Sequence, residues 1–117
     1  MTRHVAVDGH RIAEAAALHG RSGALWRLTG SRQLNLNFVR LAEGKGIPAH
    51  VELDVDLALV VISGFGAATV DDTAQPLAPG VVLFLPGGST RAIVCHDEPL
   101  IYATIHVARA GLSIGRQ

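Results

Sequence analysis

Gly46-Ile-Pro-Ala-His50-Val-Glu52, running on through Asp56 and Leu57 to Gly64, is the first of two stretches that decide how this chain folds. The second is Gly80-Val-Val-Leu-Phe-Leu-Pro86-Gly-Gly88-Ser-Thr-Arg91. Both are short apolar runs closed by Gly or Pro. Glycine suits the corners of a small barrel, where φ turns positive or two backbones approach closely. Outward from these stretches the same grammar holds. Leu34, Leu36 and Phe38 alternate with Asn35, Asn37 and Val39, the period-two signature of a strand. Further strands are expected over about 49–54, 57–63, 66–70, 81–85, 91–95 and 100–107. Asp71-Asp72 reads as a hairpin-like turn, and Pro76, Pro79-Gly80 and Pro86-Gly87-Gly88 punctuate the rest. Many short strands without helices between them predict an antiparallel sandwich or barrel.

Before residue 34 the pattern differs. Ile12-Ala-Glu-Ala-Ala-Ala-Leu18 is an Ala-rich helical stretch over about 10–19, with Asp8 as its N-cap and Gly20 as its stop. Gly23-Ala-Leu-Trp26-Arg-Leu follows, and the only Trp reads as a plug against one end of the barrel. The segment Ala110–Gln117 reads as an edge extension or a frayed tail.

The two glycine-bounded stretches, only 15 residues apart between Gly64 and Gly80, resemble the paired motifs of the cupin superfamily, over about residues 34–107. The resemblance implies an all-β fold: a cupin-type antiparallel β-barrel, or double-stranded β-helix (jelly roll), with a short N-terminal helix. On this reading residues 1–33 form an N-terminal helical extension packing on the barrel, and 34–117 form the barrel. In that family the first motif supplies two His and a Glu, the second supplies one His, and the four hold a metal ion. Their positions here carry His50, Glu52, Leu57 and Arg91. The shaping Gly and Pro residues are kept while the ligand set is degenerate.

The chemistry turns on which way these side chains face. His50, Glu52 and Asp54 share one strand face, and Ala49, Val51 and Leu53 share the other. Parity alone favours an exposed polar face; the resemblance turns His50 and Glu52 into the cavity. A one-residue slip exchanges the two. Facing inward, His50 and Glu52 are competent ligands for a divalent metal such as Zn, Fe or Mn, with His106 as a further candidate. Leu57 cannot ligate, and Arg91 carries a permanent charge and no lone pair. A bound metal is therefore not favoured. An inward Arg91 instead needs a counter-charge, and Glu52 or Asp56 is the natural partner. Its fork also suits the carboxylate, phosphate or enolate of a small ligand, with His50 beside it as acid or base. Candidate ligand-binding residues are thus Arg91, His50, Glu52 and Asp56, and candidate catalytic residues are His50 and Glu52.

Other reactive side chains read more plainly. Cys95 shares the Arg91 face and is expected to be a small buried hydrophobe. Tyr102, Thr104 and His106 form a stripe facing either cavity or solvent. His4, His10 and His19 are expected in solvent, and Gly64-Phe-Gly66 is a turn rather than a phosphate loop.

Composition narrows the function. Ten basic and ten acidic residues cancel, and with no Lys/Arg cluster the chain lacks a nucleic-acid binder's charge footprint. No apolar run reaches the roughly 18–20 residues that span a bilayer, and early charge breaks any signal-peptide pattern. A single Cys excludes an intrachain disulfide and fits a reducing compartment, so a cytoplasmic location is expected. Two functions stay open: a non-catalytic barrel binding a small polar or anionic molecule through Arg91, or a metal-dependent enzyme of dioxygenase or isomerase type acting on a small metabolite through His50 and Glu52. A homodimer is expected, through edge strands or the apolar segment Ala24–Leu28, because pairing removes an exposed edge.

Overall fold

The computed structural model describes residues 6–16, 22–52 and 55–107. One helix and nine strands occupy them: α1 (Gly9–Ala16), β1 (Gly23–Arg27), β2 (Leu34–Leu41), β3 (Gly46–Val51), β4 (Leu57–Ser63), β5 (Gly66–Val70), β6 (Thr73–Leu77), β7 (Val82–Leu85), β8 (Thr90–Cys95) and β9 (Leu100–Val107). Two sheets face each other, one ordered β1-β2-β9-β4-β7 and the other β3-β8-β5-β6. Every strand pair is antiparallel. The core between them is aliphatic, built from Leu41, Leu59, Val61, Leu77, Ile93 and Leu100, with Cys95 and Tyr102.

Alternation sorts β2 and β9 into two faces. Register places Asn35, Asn37 and Val39 beside His106, Thr104 and Tyr102 on the inner face. Leu34, Leu36 and Phe38 pair with Val107, Ile105 and Ala103 on the outer face. One end of that outer face is covered by α1, whose Ala13 and Ala16 pack on Ile101, with Leu25 and Ile62 around them. Asp8 caps the helix as expected: its carboxylate accepts from the backbone N–H of His10 at 3.0 Å and, more loosely, of Arg11 at 3.4 Å. Arg40, buried on the same outer face, donates Nε–H to the Ala16 carbonyl at 3.1 Å and lies 3.7 Å from Glu43, clamping the end of α1 to the sheet.

Two turns hold the barrel corners. Asp71 and Asp72 both adopt positive φ (47° and 70°), the geometry of a two-residue hairpin turn between β5 and β6. Asp71 also binds the start of β8: its N–H donates to the Thr90 carbonyl at 2.9 Å, and its carboxylate accepts from the Thr90 N–H at 2.8 Å. At Gly64 the φ is 91°, and a Cβ there would collide with the Pro99 carbonyl. Only glycine fits that crossing.

Several expectations are corrected. The strand expected at 49–54 lies at Gly46–Val51, because Pro48 is accommodated by a register shift between Ile47 and His50. Gly23–Arg27 is a strand rather than a plug: β1 extends the five-stranded sheet, and Trp26 meets Phe38 edge-on, ring centroids 5.8 Å apart. The strand β6 runs straight through Pro76, which sits at a sheet edge where no ladder donor is needed. His10 is exposed. The expectations for His4, His19, Gly20, Asp54 and the 110–117 tail lie outside the described residues.

Candidate functional site

A cavity of about 300 Å³ opens between the sheets. Its floor is apolar, with Leu57 and Leu59 from β4, Leu85 from β7 and Ile93 from β8. Tyr102, Thr104 and His106 project into it from alternate positions of β9, which settles the facing of that stripe. His50 and Glu52 line its mouth and remain exposed to solvent. Parity would place Ile47 opposite His50; the register shift between them brings both to the inner face. The bulge decides the register, and His50 and Glu52 face the cavity.

Arg91 stands directly across from His50 on β8 and lines the same space, only 4% exposed. Nη2 donates to the Pro86 carbonyl and to Ser89 Oγ, each at 3.0 Å. Ser89 Oγ in turn donates to the Pro86 carbonyl at 2.7 Å. The Pro86–Ser89 turn therefore fixes the guanidinium from one side. Its Nε is buried without a hydrogen-bond partner.

The Arg91 ion pair expected with Glu52 or Asp56 is not formed; among the described residues the ion pairs are Arg11–Asp8 and Arg40–Glu43. Asp56 does not line the cavity. Its carboxylate accepts from the Gly87 N–H at 2.8 Å, while the Glu52 carbonyl accepts from the Gly88 N–H at 2.7 Å. These two bonds stitch the loop after β3 to the second-motif turn and shape the cavity mouth. Asp56 thus clamps the loop to the turn and stands outside the cavity lining.

Each imidazole is tethered by one nitrogen. His50 Nδ1 lies 3.0 Å from the Pro48 carbonyl, and His106 Nδ1 lies 3.2 Å from the Val107 carbonyl. A carbonyl can only accept, so Nδ1 carries the proton in both contacts and Nε2 is left with its lone pair in the neutral ring. Burial pushes the Tyr102 hydroxyl up to about 12, with the Cys95 thiol adding to the effect. Tyr102 is thus a neutral phenol at every physiological pH and available to donate. Cys95 is buried, its thiol directed to the carbonyls of Leu41 and Ala42, as befits a packed core cysteine.

The donor set does not fit a resident metal. Among the described residues no three His, Cys, Asp or Glu side chains come together to hold an ion. His50 and Glu52 share the space with a fixed guanidinium, and Leu57 offers no donor atom.

No protein-family model and no curated protein matches the sequence. Solved structures do. A protein from Bacillus halodurans superposes with a TM-score of 0.72 at 17% identity, over 90% of this chain and 81% of that one. A cupin superfamily protein from Desulfitobacterium hafniense gives 0.65 at 20%, over 74% and 77%. The cupin domain of Cnp3 from Schizosaccharomyces pombe gives 0.63 at 16%, over 79% and 67%. The chain has the cupin fold: an all-β jelly-roll barrel, with α1 packed outside it.

Two features of the site were not read from the sequence. One is Ser89, whose only sequence signal is its place at the end of Pro86-Gly-Gly, where a hydroxyl caps a turn. The inward face of Ile47 was hidden by the bulge, for which Pro48 in a strand was the available signal.

Proposed function

We propose that this protein binds a small anionic molecule in its barrel cavity, with the guanidinium of Arg91 as the counter-charge. One observation carries the reading: a guanidinium 4% exposed, lining a cavity, held by a turn and paired with no carboxylate. Buried charge is costly unless compensated, and an entering anion supplies the compensation. The test is calorimetric titration of the wild type and Arg91→Met with small anions. Saturable heat in the wild type and none in the variant is expected; equal binding by both would sink the proposal.

A second reading is supported by His50 and Glu52 lining the same space. It makes the protein an enzyme that uses them as acid and base on a small metabolite. Turnover of a bound anion, lost in His50→Gln while binding persists, would favour it.

The outer face of the five-stranded sheet supports self-association. Val82, Phe84, Ile105, Val107 and Leu34 are exposed there, Val82 and Phe84 by 65% and 59%. Together they present on the order of 500 Å² of apolar surface, at the upper end for a monomer. A homodimer burying this face is our reading of the assembly. Among the described residues no helix is long and apolar enough to cross a membrane. A buried free thiol fits the cytoplasm.

A further inference from the structure

We infer that the anion is a monocarboxylate carrying an apolar body, its carboxylate on Arg91 and its tail against the leucine floor. The inference rests on the anion reading above and narrows it by three features of the cavity.

The first is charge. Among the described side chains lining the cavity, Arg91 is the one permanent cation and Glu52 at the mouth the one carboxylate. A single negative charge is balanced by Arg91. A second, as on phosphate or a dicarboxylate, would find no permanent cation of its own among those side chains, and unpaired charge resists leaving water. The second is the sorting of polarity. Tyr102 and Thr104 bring hydroxyls to the inner wall, while Leu57, Leu59, Leu85 and Ile93 offer only hydrocarbon. A ligand polar all round would leave its own groups unsatisfied against that floor. The third is size. A cavity of about 300 Å³ is at the small end for ligand sites and takes on the order of ten non-hydrogen atoms.

Turn geometry explains why Arg91 can serve as an anchor. One nitrogen, Nη2, is committed to Pro86 and Ser89, and this holds the guanidinium plane in place. The carboxylate meets a pre-set donor rather than a mobile side chain, which lowers the ordering cost of binding.

The test is calorimetric titration with straight-chain monocarboxylates from acetate to octanoate, the primary amide of the best of them, inorganic phosphate and oxalate. Affinity should rise about three- to fourfold with each buried methylene, then fall once the cavity is full. The amide should bind at least tenfold more weakly than its carboxylate, and Arg91→Met should erase that preference. The wild-type amide comparison stands even if the variant folds poorly. Phosphate or oxalate binding more tightly than every monocarboxylate, and losing that binding in Arg91→Met, would overturn the monocarboxylate inference and leave the anion reading intact. Equal affinity for carboxylate and amide, or no binding by any probe, would overturn both.

Discussion

Replacing Arg91 with Met distinguishes an anchor awaiting an anion from half of an internal ion pair. The substitution removes two charge-assisted hydrogen bonds from Nη2, each 3.0 Å long, worth on the order of 4–6 kcal/mol apiece before desolvation is counted. It also removes a charge from a site 4% exposed and an Nε with no partner; these two terms cost several kcal/mol and about 1–3 kcal/mol. The turn is left satisfied, because Ser89 N–H at 3.1 Å and Ser89 Oγ still donate to the Pro86 carbonyl. No carboxylate loses a partner. The terms nearly cancel, and the ligand-free variant should lie within about 1 kcal/mol of wild type, against the 3–5 kcal/mol that breaking a buried ion pair costs. Urea denaturation gives the answer through the midpoint at constant m-value. A loss of 3 kcal/mol or more with m unchanged would show that Arg91 has a buried carboxylate partner and refute the reasoning. The contrast should reverse with ligand: at a hundredfold excess over Kd the wild type gains about 2.7 kcal/mol and the variant nothing.

Three further outcomes follow from the same structure. Tyr102 holds its proton until about 12 in the folded state against 10.0 for a free phenol. The native state therefore binds the proton more tightly, and stability should fall by roughly 2–3 kcal/mol as pH rises from 10 through 12; Tyr102→Phe should flatten that slope in denaturant melts. Gly64→Ala forces a side chain into the Pro99 carbonyl at a φ of 91°; a loss of at least about 3 kcal/mol is expected by thermal or urea melts, and a loss below 1 kcal/mol would mean the crossing is looser than described. Phe84→Glu, at an exposed outer-sheet position that the cavity does not use, should shift light-scattering mass from dimer to monomer while leaving anion affinity unchanged; an unchanged mass would exclude this face as the interface.

The strand pattern was legible where alternation was clean and turns were closed by Gly, Pro or Asp. Strands 57–63, 66–70 and 100–107 carry the residues that the period-two reading assigns to them. It failed where a local rule was outweighed by tertiary pairing. Pro48 and Pro76 sit inside strands because one is absorbed by a bulge and the other lies at an edge. The segment around Trp26 is too short to show a period, and only β2 makes it a strand. Inside the site, parity identified the Tyr102, Thr104, His106 stripe but not its facing, which the pairing of β9 between β2 and β4 decides. The inward Arg91 followed from its position in the second motif. Its expected partner did not, because Asp56 bonds the Gly87 N–H, a loop-to-turn contact that no spacing in the sequence encodes.

On the proposed reading, Arg91 is a built-in cation that receives an anion. A crystal structure of the wild-type protein grown with hexanoate tests this most directly. The carboxylate is expected within hydrogen-bond distance of the Arg91 guanidinium and the hydrocarbon chain against Leu59 and Leu85. A metal ion held by His50 and Glu52 with Arg91 turned away, or a cavity without hexanoate at saturating concentration, would contradict it.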